Sequence, residues 1–168
     1  MAQLQNMLDN LLLQYEGYFN VSKPHIFDGD EILAYASFEQ RMAKYVMIKR
    51  AEIFAIKTYE HVFFVHAADL TMSGWEKEKN RITFAEKDYV IPHKEHMYSY
   101  ITLILLCDTI DPDVKKAISK FRYTKNYKWT LEGYSAVRIC ALDLSSEEII
   151  TNKQAKDVRK VMEQALHM

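Results

Sequence analysis

Apolar residues recur along this chain at two different spacings, and each spacing predicts a type of secondary structure. Near the start they fall three or four positions apart, which predicts a helix over residues 2 to 16 with one apolar face formed by Leu4, Met7, Leu8, Leu11, Leu12 and Tyr15. Between Glu31 and Ala67 they are mostly aromatic or β-branched and the polar breaks are short, a pattern that favours strands. We predict three or four short antiparallel strands there, joined near residues 39 to 41, 49 to 51 and 58 to 60.

The middle of the chain predicts a helix and then a deeply buried strand. Asp69 can cap a helix in the charge-rich segment that follows it, although Gly74 and Thr83 disfavour that helix. Residues 97 to 108 form a nearly unbroken apolar run, which fits a strand buried on both faces. Pro112 then stands just inside the start of another helix.

The last part of the chain predicts a hairpin followed by a helix. The two strands of the hairpin flank Leu131, Glu132 and Gly133, a short connection that contains a glycine. Residues 151 to 166 have the amphipathic spacing of a closing helix. In chain order, the elements predict a single α+β domain over residues 1 to 168, whose mostly antiparallel sheet packs against N-terminal, central and C-terminal helices.

Composition narrows the classes of function. The chain has 168 residues, 49% of them apolar and 27% charged, which is typical of a globular domain with its own core. Its formal net charge of −1 gives no overall attraction to nucleic acid or to an anionic membrane. Cys107 and Cys140 lie inside apolar runs, so we interpret them as buried thiols rather than as a disulfide or a zinc site.

We also expect a cytoplasmic protein without a membrane partner. No window approaches about 18 uncharged apolar residues, the length that a membrane-spanning helix needs. The opening apolar stretch contains Asp9 and lacks a preceding basic segment, so it does not resemble a signal peptide.

The segment IPHKEHMYSY, residues 91 to 100, contains the most suggestive polar residues. On a helix His93 and His96 would share a face and could hold a metal ion, whereas in an extended strand they would point to opposite sides. Two histidines also fall short of the three protein ligands of a catalytic zinc site, and ordinary loop histidines are the simpler interpretation. We therefore keep His93, Glu95 and His96 as candidate ligand-binding residues, and only the two histidines as weak candidates for metal binding.

A second candidate is the basic stretch at residues 115 to 128, which contains six basic residues and no acidic one. Its cations could follow a phosphate backbone while neighbouring aromatic rings stack on bases, and the candidates for this role are Lys120, Arg122, Lys125 and Lys128. In a strand, however, most of these charges would lie on the face opposite the rings. A nucleic-acid-binding surface would need both on the same face.

Other catalytic templates are missing from the chain. With four glycines it has neither a phosphate-binding loop nor a dinucleotide-binding fingerprint, and it lacks a G-x-S-x-G motif. The acid-x-Lys triplet expected of a restriction-type nuclease occurs only at a helix start, from Asp113 to Lys115. Asn152 and Lys153 precede the closing helix, where they are either capping residues or candidate contacts for an anionic ligand.

Two segments, Pro92 to Met97 and Ile150 to Lys153, together resemble an uncharacterised family of small intracellular bacterial proteins. The resemblance covers most of the chain and implies no activity, cofactor or binding residue. It favours a pocket near the two segments, which would bring His93, Glu95 and His96 close to Asn152 and Lys153.

The absence of a complete catalytic set leads us to expect a non-enzymatic accessory domain that binds a small molecule or a protein partner without a cofactor. The first alternative is a metal-assisted hydrolase that uses His93, Glu95 and His96. The second is a nucleic-acid-binding module that uses residues 115 to 128. The outer strands of the predicted sheet leave edges along which a second copy could pair, so the sequence is also compatible with a homodimer.

Overall fold

A mixed β-sheet between two layers of helices forms the framework of the protein. The computed structural model describes residues 2–45 and 52–168. Its helices are α1 (Ala2–Glu16), α2 (Met72–Tyr89), α3 (Pro112–Lys120) and α4 (Lys156–Leu166). Its strands are β1 (Asn20–Ser22), β2 (His25–Phe27), β3 (Asp30–Ile32), β4 (Ala34–Tyr45), β5 (Glu52–Leu70), β6 (His96–Ile110), β7 (Thr124–Asn126), β8 (Tyr134–Asp143) and β9 (Glu148–Thr151). The predicted α+β fold is confirmed.

The sheet combines antiparallel outer strands with a parallel centre. Its order is β1, β4, β5, β6, β8 and β7, with β9 also paired to β8, while β2 and β3 form a separate hairpin. β6 runs parallel to both β5 and β8, and the remaining pairings in the sheet are antiparallel. Because parallel neighbours need a crossover connection, α2 joins β5 to β6 and α3 lies in the connection from β6 to β8.

The predicted meander is mainly one long hairpin, in which β4 pairs with β5 along its whole length. The joints predicted at residues 39 to 41 and 58 to 60 are wrong, because both segments lie inside these strands. The joint predicted at residues 49 to 51 lies outside the described residues. The two segments that suggested turns instead pair with each other across the hairpin, with Glu39 opposite Tyr59 and Gln40 opposite Thr58.

Two helices begin later than their sequence signals predict. α2 is capped by Thr71 rather than Asp69, since the Thr71 hydroxyl accepts a hydrogen bond from the backbone N–H of Gly74. The segment predicted to open the closing helix forms β9 and a short 3-10 turn, so α4 starts at Lys156. α1 has its predicted bounds, and α3 begins at Pro112, as predicted.

Side chains alternate between two apolar layers, one on each face of the sheet. On the face covered by α2 and α3, the buried residues include Phe63, Trp75, Ile82, Ile101, Leu103, Leu105, Val114, Val137 and Ile139. On the face covered by α1 and α4, they include Leu11, Leu12, Phe64, Ile104, Leu106, Cys140, Val158 and Met162. Every residue of β6 from Ile101 to Cys107 is buried, as expected for a strand covered on both faces.

The connection between β7 and β8 is longer than predicted and contains a tightly constrained glycine. Lys128, Trp129 and Thr130 have positive φ, and the Trp129 side chain at the tip is 96% exposed. The turn ends at Gly133, whose φ is 73°. A Cβ at this position would lie 2.3 Å from the carbonyl oxygen of Met97, so the close approach of the turn to the start of β6 requires a glycine.

Replacing Gly133 with alanine should therefore lower the free energy of unfolding by about 3 kcal/mol or more, because the new methyl group would push the turn away from β6. Gly17→Ala is the matched control, since a Cβ there meets no atom within 4 Å. We expect the control to change the free energy by less than about 1 kcal/mol. Urea unfolding measures both variants, and equal midpoints would contradict this account of the turn.

Candidate functional site

The two histidines singled out by the sequence come together at the start of β6. The ring centroids of His93 and His96 are 5.9 Å apart, and the Tyr59 ring lies within 6.0 Å of each. Ser99 completes this group, because its hydroxyl lies 2.8 Å from His96 Nε2. We refer to Tyr59, His93, His96 and Ser99 as the histidine cluster.

Hydrogen bonds occupy every imidazole nitrogen of the histidine cluster. His96 Nδ1 lies 2.6 Å from the carbonyl oxygen of Glu132, which can only accept, so Nδ1 holds the proton and Nε2 accepts from the Ser99 hydroxyl. His93 Nδ1 accepts from the backbone N–H of Glu95, which leaves His93 Nε2 to donate to the Tyr59 hydroxyl at 2.9 Å. Neither imidazole therefore has a free lone pair to offer a ligand.

The electrostatics of this segment also favour a structural role. Burial lowers the pKa of His96, so the neutral ring that fits its two hydrogen bonds is preferred. Glu95 forms an ion pair with Arg41 at 3.2 Å, and the hydrogen bond from Arg41 is the main cause that lowers the pKa of Glu95. Within residues 2–45 and 52–168, no group of three or more His, Cys, Asp or Glu side chains could hold a metal ion.

Asn152 and Lys153 lie at a different place in the fold. Asn152 is buried, and its side chain binds the backbone of β8, accepting from the Ile139 N–H and donating to the Val137 carbonyl, each at 3.0 Å. Lys153 is exposed in the short turn that follows. His96, by contrast, binds the carbonyl of Glu132, which precedes Val137 by five residues and Ile139 by seven.

The separation of these two groups follows from strand geometry. Val137 and Ile139, which anchor Asn152, pair with Ile101 and Leu103 of β6, five and seven residues beyond His96. Since a strand rises about 3.3 Å per residue, these positions lie about 16 to 23 Å from His96. The structure therefore places His93, Glu95 and His96 at the start of β6, apart from Asn152 and Lys153.

The basic stretch is partly neutralised by neighbouring carboxylates. Lys125 Nζ lies 3.0 Å from both carboxylate oxygens of the buried Glu86, and Lys128 pairs with Glu132. Arg122 donates to two backbone carbonyls, and Lys120 ends α3. These four cations do not form one continuous unpaired surface.

The described residues also form a cleft that the sequence did not predict. It has a volume of about 820 Å³ and lies between α1, the β2–β3 hairpin, α2 and the second half of β5. We call it the α1–α2 cleft. Its apolar lining is formed by Leu8, Pro24, Ile32, Leu33 and Val65.

One wall of the α1–α2 cleft is a buried ion pair. Arg81 is only 7% exposed, and its Nη1 lies 2.9 and 3.0 Å from the two carboxylate oxygens of Glu78. Arg81 Nη2 donates to the carbonyl of Phe27 at 2.7 Å, and the guanidinium lies 4.8 Å from the centre of the Phe27 ring. These contacts fix the side chain against the hairpin, so the wall is preorganised.

The rim of the α1–α2 cleft is charged and more accessible. Lys77 pairs with Asp30 at 3.2 Å, and Lys23 pairs with Asp9 at 3.3 Å. All four side chains are about half exposed or more. Exposed pairs contribute about 1 kcal/mol or less, so a ligand could displace either partner at little cost.

Comparison with known proteins identifies the family. Residues 3–164 match the model of a domain of unknown function, DUF8052. The chain belongs to this family. The resemblance to an uncharacterised family is thus confirmed, and the match includes both the histidine cluster and the α1–α2 cleft. No curated protein and no solved structure matches the chain.

The fold of this DUF8052 domain explains why the cleft has no compact sequence motif. Its charged residues come from the segment before β2, from β3 and from α2, so they are up to 58 positions apart between Lys23 and Arg81. Of these residues, the sequence indicated only the charge-rich segment that forms α2. No helix in the described parts of this domain is long and apolar enough to cross a membrane.

A third histidine of the domain makes a pH-dependent contribution to stability. His61 is largely buried beside Tyr35, with 2.7 Å between His61 Nδ1 and the Tyr35 hydroxyl oxygen. Burial lowers the pKa of His61 to about 4 from an ordinary value of 6.5. Between these two pH values the unfolded chain binds a proton at this site and the folded chain does not.

The free energy of unfolding should consequently fall as the pH drops from 6.5 towards 4. His61 should account for at most about 3 kcal/mol of that fall, since one pKa unit corresponds to about 1.4 kcal/mol. His61→Gln removes the titration while keeping a hydrogen-bonding side chain beside Tyr35, so its stability should depend less on pH in this range. His167→Gln, at an exposed position, is the control. Urea unfolding at several pH values measures the slopes, and equal slopes for wild type and His61→Gln would refute the assignment.

Proposed function

We propose that this protein is a non-enzymatic binding domain that holds a small ligand in the α1–α2 cleft. The observation that carries the proposal is a cleft of about 820 Å³ with an apolar lining and a charged rim. Ligand pockets typically have volumes of about 300 to 1,000 Å³ and combine apolar walls with a few placed polar groups. The rim residues Lys23, Glu31 and Lys77 supply such groups, and the buried Arg81–Glu78 pair fixes the wall behind them.

The described lining of the cleft lacks a hydroxyl or thiol nucleophile. Among the described lining residues there is no Ser, Thr or Cys that could act as a nucleophile. Cys107 and Cys140 are buried elsewhere, and burial raises the pKa of each thiol to about 12. His66 at the edge of the cleft pairs with Asp108 at 3.2 Å and has no hydroxyl or thiol partner in the lining.

The two alternative functions have less support in the described residues. A metal-assisted hydrolase at His93, Glu95 and His96 would have to break the hydrogen bonds of the histidine cluster. Metal analysis of the purified protein and of a variant with both histidines changed to alanine would reveal such a site. Nucleic-acid binding by residues 115 to 128 would appear as salt-sensitive retention on DNA that weakens when Lys120 and Arg122 are neutralised.

We also propose that the domain works in the bacterial cytoplasm. Its two cysteines are buried free thiols, which agrees with a reducing compartment. A second copy pairing along an outer strand remains part of the proposal, and sedimentation at high protein concentration tests it. A monomer under those conditions would remove the homodimer from the proposal without affecting the cleft.

Ligand binding in the cleft can be tested with the neutral fluorescent probe N-phenyl-1-naphthylamine. We expect saturable binding at one probe per protein, because the apolar lining removes the probe from water. Leu33→Trp should weaken binding at least tenfold by filling the cleft. Leu13→Trp is the matched control, because Leu13 is an exposed residue of α1 that does not line the cleft.

Fluorescence titration of the three proteins measures the dissociation constants, and circular dichroism confirms that both variants fold. Saturable binding that Leu33→Trp leaves unchanged would place the probe elsewhere and contradict the proposal. A complete lack of saturable binding to the wild type would contradict it as well.

A further inference from the structure

We propose that the ligand of the α1–α2 cleft is a short zwitterionic peptide, whose two charged ends and extended backbone are each matched by the cleft. This inference rests on the proposed ligand-binding function and names the chemical class of the ligand. Three features support it: the balance of charges, the accessibility of particular charged groups, and a strand edge beside the cleft.

The charges that line the cleft are balanced. Three side chains are cationic, namely Lys23, Lys77 and Arg81, and three are anionic, namely Asp30, Glu31 and Glu78. A ligand with one kind of charge would attract half of these groups and repel the other half. A zwitterion can pair with both kinds, so the lining selects against ligands with a net charge.

The accessible members of this set can receive the two ends of a peptide. Arg81 is already paired in the wall, with Glu78 at 2.9 Å and more distantly with Asp28 at 3.6 Å and Asp30 at 3.9 Å, which leaves Lys23, Glu31 and Lys77 as the accessible charges. Glu31 is exposed and forms no ion pair with the described residues, so it is available for an ammonium group. Lys77 and Lys23 are held only by exposed carboxylates and can exchange these partners for a peptide carboxylate.

The edge of β5 can pair with the backbone of the peptide. β4 ends its pairing with β5 at Phe64, whereas β5 continues to Leu70 with β6 along its opposite edge. The backbone N–H of Leu33 donates to the Phe64 carbonyl at 3.0 Å, which continues the contact by one hydrogen bond. Beyond this point no described strand pairs with that edge of β5.

Val65 and His66, the first residues of this free edge, line the cleft. An extended peptide can add to such an edge through main-chain hydrogen bonds, while its side chains occupy the adjoining apolar surface. A free amino acid could satisfy the charges, but it would use little of the 820 Å³ volume and would gain little from the strand edge. Both the volume and the edge therefore favour a peptide of a few residues.

Calorimetric titration with the tripeptide Ala-Leu-Ala tests this inference. The free peptide is compared with its N-acetylated, C-amidated and doubly capped forms, since capping removes the terminal charges and keeps the backbone. We expect the free peptide to bind, each single cap to weaken binding at least fivefold, and the doubly capped form to bind most weakly.

Variants at the rim assign the two ends of the peptide. Glu31→Gln should weaken binding of the free peptide and leave binding of the N-acetylated form unchanged, because that form has no ammonium group. Lys77→Gln should weaken binding of the free peptide and leave binding of the C-amidated form unchanged, because that form has no carboxylate. Glu163→Gln, at an exposed position of α4 outside the cleft, is the control and should bind all forms like the wild type.

The outcomes separate this inference from the proposed function. Equal binding of all four peptide forms, or tighter binding of a capped form, would overturn the zwitterionic ligand. Binding of N-phenyl-1-naphthylamine in the cleft without binding of any peptide would also overturn it, while the proposed ligand-binding function would stand. If the wild type does not bind N-phenyl-1-naphthylamine at all, the result contradicts the proposed function itself.

Discussion

The parallel pairing of β6 with β5 on one side and β8 on the other is the constraint on which the rest of the structure depends. Parallel neighbours have to be joined by crossovers, so α2 and α3 cover one face of the sheet, and α1 and α4 bury the other. Because both pairings are parallel, β5, β6 and β8 run in the same direction. The histidine cluster therefore lies where β6 begins, whereas the α1–α2 cleft lies beside the second half of β5, after its pairing with β4 has ended.

Elements with a local signal could be predicted from the sequence, and relations between distant residues could not. The spacing of Leu8, Leu11 and Leu12 defines α1, and the apolar run after Met97 defines β6. The long β4–β5 hairpin was missed because polar residues such as Glu39 and Thr58 suggest turns unless their pairing is known. The parallel centre was missed because no local pattern encodes the direction in which a strand enters a sheet.

The candidate sites show the same difference between local and distant information. Spacing alone suggested that His93 and His96 would diverge in a strand, yet they come together because only His96 belongs to β6 and Tyr59 packs against both rings. Their convergence does not make them a binding site, since their nitrogens are already hydrogen-bonded within the chain. The α1–α2 cleft, by contrast, assembles residues from α1, β3, β5 and α2, so no sequence motif could indicate it.

The buried and the exposed ion pairs around the cleft have different roles. Besides Glu78, Arg81 has only the more distant carboxylates of Asp28 and Asp30, at 3.6 and 3.9 Å. Removing one partner from a buried pair such as Arg81 and Glu78 costs about 3 to 5 kcal/mol, because the remaining charge lies away from water with weaker compensation. That pair is therefore unsuited to exchange with a ligand and instead holds α2 against the β2–β3 hairpin. The exposed pairs at the rim contribute about 1 kcal/mol or less and can open readily. A cleft with a rigid charged wall and exchangeable charges at its entrance can admit a ligand with both signs of charge without disturbing the fold around it.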